Sequence, residues 1–321
     1  MRYVAALVAV VLAGGALAAC DASEDEASRP APGTTAVGRT EGAELPVPRT
    51  EVAGAVLDDD TIVVAGGFLA DGTASARVDV YHRDDDRWTE GPSLPEPRHH
   101  AAMASSGGRV WVVGGIGATG EAATVWSLGP GERAWRAEPP LLAPRGALGL
   151  AATGGGTLVA FGGTSAGAFL ASTELLEPGA TQWRPGPPMG EPREHVAAMS
   201  FGGRVFAVAG RVGSLSSNKA TVESLDADAD VASWRAEPPL TKARGGTAAA
   251  AGCVAGGEED AGTIAPVECL RDGRWEVVAQ LRRSRHGLAV VALGDDLHVI
   301  GGGERPGLFV SGAHEVLSGI L

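Results

Sequence analysis

Short apolar segments alternate with glycine-rich turns along most of the chain, from about residue 37 to its end. Residues 62–67 (IVVAGG) and 159–163 (VAFGG) show the apolar pattern, and turns such as residues 106–109 (SGGR) separate one segment from the next. Short strands joined by tight turns are typical of antiparallel meanders, and no stretch has the period and length of a helix. The pattern therefore predicts an all-β protein.

The glycine-ended segment recurs five times, with the first glycine at residues 66, 114, 162, 256 and 301, and a degenerate sixth copy has Ala209 followed by Gly210. An acidic residue, a tryptophan and an arginine follow most copies in that order. Recurrence at a nearly constant period predicts a repeat architecture. The repeated positions are the tryptophans Trp88, Trp135, Trp183, Trp234 and Trp275, the arginines Arg49, Arg98, Arg145, Arg193, Arg244 and Arg285, and the acidic residues Asp79, Glu174, Glu223, Glu268 and Glu315, with Trp126 as the exception at the acidic position.

The repeated glycine pair, acidic residue, tryptophan and arginine resemble the kelch motif. The resemblance covers residues 37–321 and leaves no room for a second domain. It implies a six-bladed kelch β-propeller with four antiparallel strands, here called a to d from the channel outwards, in each blade.

The two ends of the chain suggest how the ring closes. The sixth repeat stops after residues 315–317 without a tryptophan strand, whereas residues 39–49 (RTEGAELPVPR) align without gaps on residues 88–98 (WTEGPSLPEPR). We therefore expect residues 34–42 to form the outer strand of the last blade, which removes unpaired strand edges. Arg39 stands where the other blades have tryptophan, so we expect this blade to pack less well.

The N-terminal segment has the features of an export signal. Residues 1–19 are predicted to be a lipoprotein signal peptide, because the apolar run is short for a membrane span and residues 17–20 (LAAC) resemble a bacterial lipobox. We expect Cys20 to be lipidated and residues 20–36, which are acidic and contain proline, to be a flexible tether. An ordinary secretory signal is the alternative. The predicted location is extracytoplasmic, on a membrane of the bacterial cell envelope.

The charge distribution limits the class of partner. A formal net charge of −13 argues against nucleic acid, because phosphate binding needs a basic surface. The a–b and c–d turns share one face of a propeller, which is predicted to be strongly acidic. The spacing of residues 226–230 hints at calcium, but the glycine and the distal glutamate of a calcium loop are missing, so solvated turns are expected. The acidic turn residues are Asp58, Asp59, Asp60, Asp84, Asp85, Asp86, Asp226, Asp228, Asp230, Asp295 and Asp296.

The opposite face is the predicted binding face, because the six arginines enter strand a there. A scaffold role, with each arginine paired to a recurrent acid, is favoured over ligand contact, since pairing is the usual way to tolerate buried charge. Four of the seven histidines lie one or two positions after an arginine, where they should edge the channel. The ligand-binding candidates are Arg49, Glu51, Arg98, His99, His100, Arg193, Glu194, His195, Arg244, Arg285 and His286.

Three chemical interpretations of the histidines and glutamates stay open. They are a metal site, general acid–base catalysis by Glu194, His195 or His100, and passive binding of an acidic peptide or glycan at an electropositive mouth. Sequence spacing fixes no metal distances, so no metal ligand and no cofactor is predicted. Copper radical oxidases with kelch domains need two tyrosines at the metal, and beyond the signal segment the chain has only Tyr81.

Two further features concern single blades. Cys253 and Cys269 fall on predicted strands b and c of the fifth blade and are expected to form a disulfide, with two free thiols as the alternative. Apolar residues in the b–c loops are expected to begin strand c, and otherwise to form an apolar rim for a protein partner. These are Phe68, Leu69, Phe169, Leu170, Leu308 and Phe309.

The sequence thus predicts a membrane-tethered binding or scaffolding module rather than an enzyme. Its arginine-lined face would take an envelope protein, an acidic glycan or an acidic peptide. The alternative is a sugar isomerase or mutarotase, which the resemblance to six-repeat periplasmic kelch sialic-acid mutarotases implies.

Overall fold

A computed structural model describes residues 37–229 and 231–321. The predicted signal peptide, the lipidation of Cys20, the tether and Asp230 lie outside these residues. Six four-stranded antiparallel sheets and three two-stranded hairpins make up the strands of the described part of the chain. The helical structure in the described residues is one 3-10 turn, Leu215–Ser217. No described helix is long and apolar enough to cross a membrane. The protein is all-β, as predicted.

The strands follow one another blade by blade, after β1 (Gly38–Glu41), which belongs to the last blade. Blade 1 has β2 (Ala53–Val56), β3 (Thr61–Ala65), β4 (Val78–His82) and β5 (Arg87–Glu90). Blade 2 has β6 (Ala102–Ser106), β7 (Arg109–Val113), the hairpin β8 (Ile116–Gly117) and β9 (Gly120–Glu121), then β10 (Val125–Leu128) and β11 (Arg136–Glu138). Blade 3 has β12 (Gly149–Ala152), β13 (Leu158–Phe161), the hairpin β14 (Thr164–Ser165) and β15 (Ala168–Phe169), then β16 (Thr173–Leu176) and β17 (Arg184–Gly186).

The second half of the ring repeats this arrangement. Blade 4 has β18 (Ala197–Phe201), β19 (Arg204–Val208), β20 (Val222–Leu225) and β21 (Trp234–Glu237). Blade 5 has β22 (Ala248–Ala250), β23 (Cys253–Ala255), the hairpin β24 (Glu258–Glu259) and β25 (Gly262–Thr263), then β26 (Pro266–Arg271) and β27 (Arg274–Gln280). Blade 6 has β28 (Ala289–Leu293), β29 (Asp296–Ile300) and β30 (His314–Ser318), with β1 outermost.

The six blades form a closed ring around a channel. Strand a of each blade packs against strand a of the next, and β28 of blade 6 packs against β2 of blade 1. Six apolar clusters fill the ring, and each cluster combines residues of two neighbouring blades. The core is therefore divided among the blade-to-blade interfaces, and the predicted six-bladed propeller is confirmed.

The predicted clasp between the two ends of the chain is present. Strand β1 pairs antiparallel with β30, with Arg39 opposite Leu317 and Glu41 opposite Glu315. The strand is shorter than the predicted 34–42 within the described residues. Its side chains are exposed, which agrees with the looser packing expected where arginine replaces tryptophan.

Arg39 nevertheless takes over one function of the tryptophan. In five blades the indole N–H donates to a carbonyl of the preceding blade's outer region, at 2.7 to 3.0 Å. In blade 6 the guanidinium of Arg39 donates instead to the carbonyl of Gln280 in β27 of blade 5. The blade-to-blade hydrogen bond is thus kept at all six junctions.

The glycine pairs allow neighbouring blades to approach closely. Gly66 has a φ of +68°, and a Cβ there would lie 2.5 Å from the carbonyl oxygen of Arg98 in the next repeat. The amide of Gly67 donates to that same oxygen at 2.8 Å. Glycine lacks the Cβ that would meet this oxygen at Gly66, whereas blade 4 has Ala209 at the equivalent position, with a φ of +59°.

A disulfide joins two adjacent strands of blade 5. Cys253 in β23 and Cys269 in β26 lie directly opposite each other in the ladder, and their sulfur atoms are bonded. This pairing, on strands b and c of the fifth blade, is the one expected from the sequence.

Candidate functional site

Five of the six repeated arginines are buried and paired inside their own blades. Arg145 donates to the carbonyl oxygens of Gly162 and Ser172, each at 3.1 Å. It also donates to the carboxylate of Glu174 in strand c at 2.6 Å. These guanidinium groups point into the blades, which supports the scaffold role and leaves no exposed donor for a ligand. The other pairs are Arg49–Asp79, Arg193–Glu223, Arg244–Glu268 and Arg285–Glu315.

Arg98 differs because its blade has tryptophan at the acidic position. Its guanidinium lies over the Trp126 ring, 5.1 Å from the centroid, and donates to Glu96 at 2.6 Å. It also donates to the Thr124 hydroxyl at 3.2 Å. A cation–π contact thus replaces the buried carboxylate of the other blades.

The second residue after each arginine has a left-handed backbone. The φ angles are positive at all six of these positions, although four of the residues are not glycine. Backbone hydrogen bonds also join neighbouring blades here. The amide of Ala147 donates to the carbonyl oxygen of His100, and the amide of His195 donates to the carbonyl oxygen of Ala147, each at 2.9 Å. A left-handed backbone is costly outside glycine and is often retained at functional sites. The six residues are Glu51, His100, Ala147, His195, Gly246 and Gly287.

Three of these side chains meet at the mouth of the channel. The Nε2 atoms of His100 and His195 lie 2.9 Å apart, and His100 Nε2 lies 3.4 Å from Glu51 Oε2. The three residues come from blades 1, 2 and 4. They line a cavity of about 140 Å³ whose remaining walls are largely alanine, glycine, valine and leucine of the six a strands. The sequence prediction placed these residues on one rim, and the structure brings them into one cluster.

Glu194 and His195, two of the three acid–base candidates, are also in contact. The Glu194 carboxylate lies against His195 Nδ1, on the side of the ring away from His100. Arg211 donates to Glu194 at 3.1 Å and to Glu258 at 2.6 Å. The contacts therefore continue from blade 4 to blade 5 through Arg211.

Sequence reasoning missed Arg211 and Glu258. Arg211 follows Ala209 and Gly210, and Glu258 follows the glycine pair at residues 256 and 257. Each forms a backbone bridge with the residue after the repeated arginine, Glu194 and Gly245 respectively. This repeat position holds Phe68, Ile116 and Thr164 in earlier blades and changes to opposite charges in blades 4 and 5. That pair of charges in adjacent repeats is the signal that could have identified them.

The remaining predicted histidines border the same cluster. His286 Nδ1 lies 3.3 Å from Glu51 and 3.6 Å from Glu258. Its Nε2 lies 3.0 Å from the Gly307 carbonyl, so the b–c loop of blade 6 reaches over the mouth. His99 lies beside His100, with 2.6 Å between their Nδ1 atoms.

Burial and mutual contact shift the pKa values at the mouth. Burial lowers the pKa of both His100 and His195, and in His195 the adjacent His100 lowers it further. Burial alone would raise the pKa of Glu51, but His100, His286 and His195 outweigh it and leave this pKa below its usual range. Burial opposes protonation of His286, yet Glu51 and Glu258 raise its pKa overall. The mouth therefore combines histidine side chains with the carboxylates of Glu51, Glu194 and Glu258.

The two faces of the ring differ in character. We call the side with the d–a and b–c connections, such as residues 91–101 and 114–124, the loop face. Its apolar loop residues do not begin strand c, contrary to expectation, because β4, β16 and β30 start further along the chain. Phe169 lies in the hairpin strand β15 instead. The described aspartates of the acidic turns lie between strands a and b or between c and d, on the opposite face as predicted, except Asp296, which begins β29 at that face.

Comparison with known proteins identifies the repeat. A sequence profile of the Kelch motif matches residues 53–95 and 147–190. The chain is 31% identical over 110 residues to Beta-scruin of Limulus polyphemus, and the aligned segment covers 32% of this chain and 12% of that protein. It is 32% identical over 88 residues to Kelch-like protein 34 of Homo sapiens, covering 26% and 14% of the two chains. These kelch motifs, together with the six-bladed fold, support a kelch-repeat β-propeller. The matched segments span only a small part of these relatives.

The fold of this kelch propeller also matches a solved structure. The structure of YjhT superimposes with a TM-score of 0.73 over 84% of this chain and 95% of that chain, at 17% identity. At this identity the likeness establishes the shared fold alone.

Proposed function

We propose that this kelch propeller is a protein-binding module that engages its partner through the loop face. The observation that carries the proposal is a set of large apolar side chains exposed there. Phe169 in blade 3 is 37% exposed, and Leu308 and Phe309 in blade 6 are 47% and 44% exposed. Leu142, in the d–a connection into blade 3, is also exposed. Exposed apolar side chains grouped on one face mark protein interaction sites.

The arrangement favours a protein segment over an acidic ligand. Blades 3 and 6 are opposite each other in the ring, so the apolar side chains flank the channel mouth on two sides. Glu51, Glu194 and Glu258 lie at the mouth between them and would repel an anion. A partner segment with apolar residues at both ends fits this surface, since aromatic contacts are enriched at protein interfaces.

Site-specific crosslinking tests the proposed face. A photoreactive residue at Phe309 or Phe169 should crosslink the same envelope protein in intact cells. Phe201 provides a matched control, because it is equally exposed at 37% but ends strand a on the opposite face. The purified partner should then bind the Phe201→Ser variant normally and the Phe309→Ser variant at least about tenfold more weakly. Equal crosslinking from both faces, or equal binding by both variants, would contradict the proposal.

We also propose that the propeller is held at the outer side of a bacterial membrane through lipidated Cys20. The lipobox-like residues 17–20 and the acidic segment that follows them support this location. Cells expressing the full chain should incorporate labelled fatty acid into it, and detergent partitioning should place it with membrane proteins. Cys20→Ser should abolish the label and move the protein to the aqueous phase. Label that persists in this variant would reject the assignment to Cys20.

A further inference from the structure

We propose that Glu51, His100 and His195 form a binding site for a divalent transition-metal ion at the mouth of the channel. One ligand atom from each residue can be chosen so that all lie within 4.8 Å of one another. The site is distinct from the apolar residues of the proposed protein-binding surface. It arises only in the folded ring, because its residues come from three different blades.

The separations of the three ligand atoms suit a shared ion. Two atoms each bound to zinc at about 2.1 Å are about 3.4 Å apart at a tetrahedral angle. The Nε2 atoms of His100 and His195 are 2.9 Å apart, and Glu51 Oε2 is 3.4 Å from His100 Nε2. Small rotations of the side chains would therefore place an ion between them.

Polar groups lie beside the second ring nitrogen of both histidines, as is common at metal sites. Ligand histidines commonly engage their second ring nitrogen with a carboxylate or another polar group, which fixes the ring and raises its basicity. His195 has Nδ1 against the Glu194 carboxylate, and Arg211 in turn holds Glu194. His100 has Nδ1 against His99. The Nε2 atoms of the two rings face each other across the mouth.

Charge and access also favour a cation. The carboxylates of Glu51, Glu194 and Glu258 surround the mouth, and Arg211 is the arginine that contacts two of them. A divalent ion would offset the remaining negative charge. The three ligand side chains are largely but not fully buried, and they border the cavity of about 140 Å³. An ion could enter from this cavity and keep one position open towards it.

Two imidazoles and one carboxylate restrict the choice of metal. This donor set serves Zn²⁺ in sites that keep an open position, and it also serves Fe²⁺. Calcium and magnesium prefer oxygen ligands alone. Zn²⁺ is therefore the probe, because it is stable to oxidation and needs no reductant.

Zinc titration of the tag-free protein tests the site. We expect one equivalent of Zn²⁺ to bind in calorimetry and to remain after gel filtration. Removing an outer contact weakens metal binding by about 10- to 100-fold. Glu51→Gln and His195→Gln each remove a direct ligand, so each should weaken zinc binding by more than that. Glu194→Gln removes such an outer contact and should give that smaller loss. Circular dichroism should show every variant folded.

Controls and a direct location complete the test. His82→Gln changes a histidine in β4 that contacts Thr89 and lies outside the cluster, so it should leave zinc binding unchanged. Anomalous diffraction from a zinc-soaked crystal should place the ion between Glu51, His100 and His195. Absence of stoichiometric binding, binding that survives the Glu51→Gln and His195→Gln changes, or an ion located elsewhere would overturn the proposal.

Discussion

Replacing Arg145 with alanine should destabilise the propeller by about 3–5 kcal/mol, because removal of one member of a buried ion pair leaves the other charge uncompensated. The Arg145 and Glu174 side chains are only 1% and 4% exposed. The substitution would also remove the donor to two carbonyl groups in the same blade. Differential scanning calorimetry should show a large fall in the melting temperature.

The same blade offers a matched control. Arg184 pairs with Glu177 on the surface, with 51% and 40% of the two side chains exposed, and exposed pairs contribute at most about 1 kcal/mol. Arg184→Ala should therefore change the melting temperature little. Arg145→Lys keeps the charge but loses the forked donor geometry, so its effect should be intermediate. If Arg145→Ala cost no more than Arg184→Ala, the scaffold role of the repeated arginines would be wrong.

Deleting residues 38–41 from the full chain should open the ring at its closing blade. The deletion removes β1 and leaves the outer edge of β30 unpaired. It also removes the exposed ion pair between Glu41 and Arg282. At about 1 kcal/mol for each net hydrogen bond, the loss should reach about 2–4 kcal/mol. Unpaired strand edges also promote association between molecules.

Two measurements report the effect of the deletion. The melting temperature should fall, and sedimentation velocity should show association that increases with protein concentration. A deletion of residues 24–27, which lies in the predicted tether, controls for chain shortening. Identical melting and sedimentation of the two deletion variants would contradict the role of β1 as the clasp.

The sequence was sufficient to predict the architecture because the repeat is encoded in local features. Glycine pairs mark the ends of strand b, and the tryptophans mark the outer strands. The alignment of residues 39–49 on residues 88–98 predicted the clasp, although β1 is shorter than expected within the described residues. These features depend on neighbours along the chain or on one repeat position, which a single sequence displays directly.

The site was predicted only in part, because its geometry depends on distances across the ring. Repeat positions indicated that Glu51, His100 and His195 share a face, but they carry no information about separation across the channel. The structure shows strands a with many small residues, such as Ala53 and Ala197, so side chains from different blades can meet. The repeated arginines occupy equivalent positions near the rim, but their side chains do not line it. Each side chain turns into its own blade towards an acidic residue or, for Arg98, towards Trp126.

The proposed binding role and the proposed metal site use different parts of the loop face. Phe169, Leu308 and Phe309 flank the mouth, whereas the ligand set lies within it. Zinc binding could therefore fail while the crosslinking result stands, and the reverse is also true. The sugar isomerase alternative stays a prediction from resemblance.

A crystal structure of the metal-free protein most directly tests whether ring closure gathers one polar cluster at the channel mouth. We predict six blades, with Gly38–Glu41 paired to β30. We also predict the Nε2 atoms of His100 and His195 within hydrogen-bonding distance of each other and beside Glu51. An open ring, a seventh blade, or these three side chains on separate sides of the channel would contradict the account.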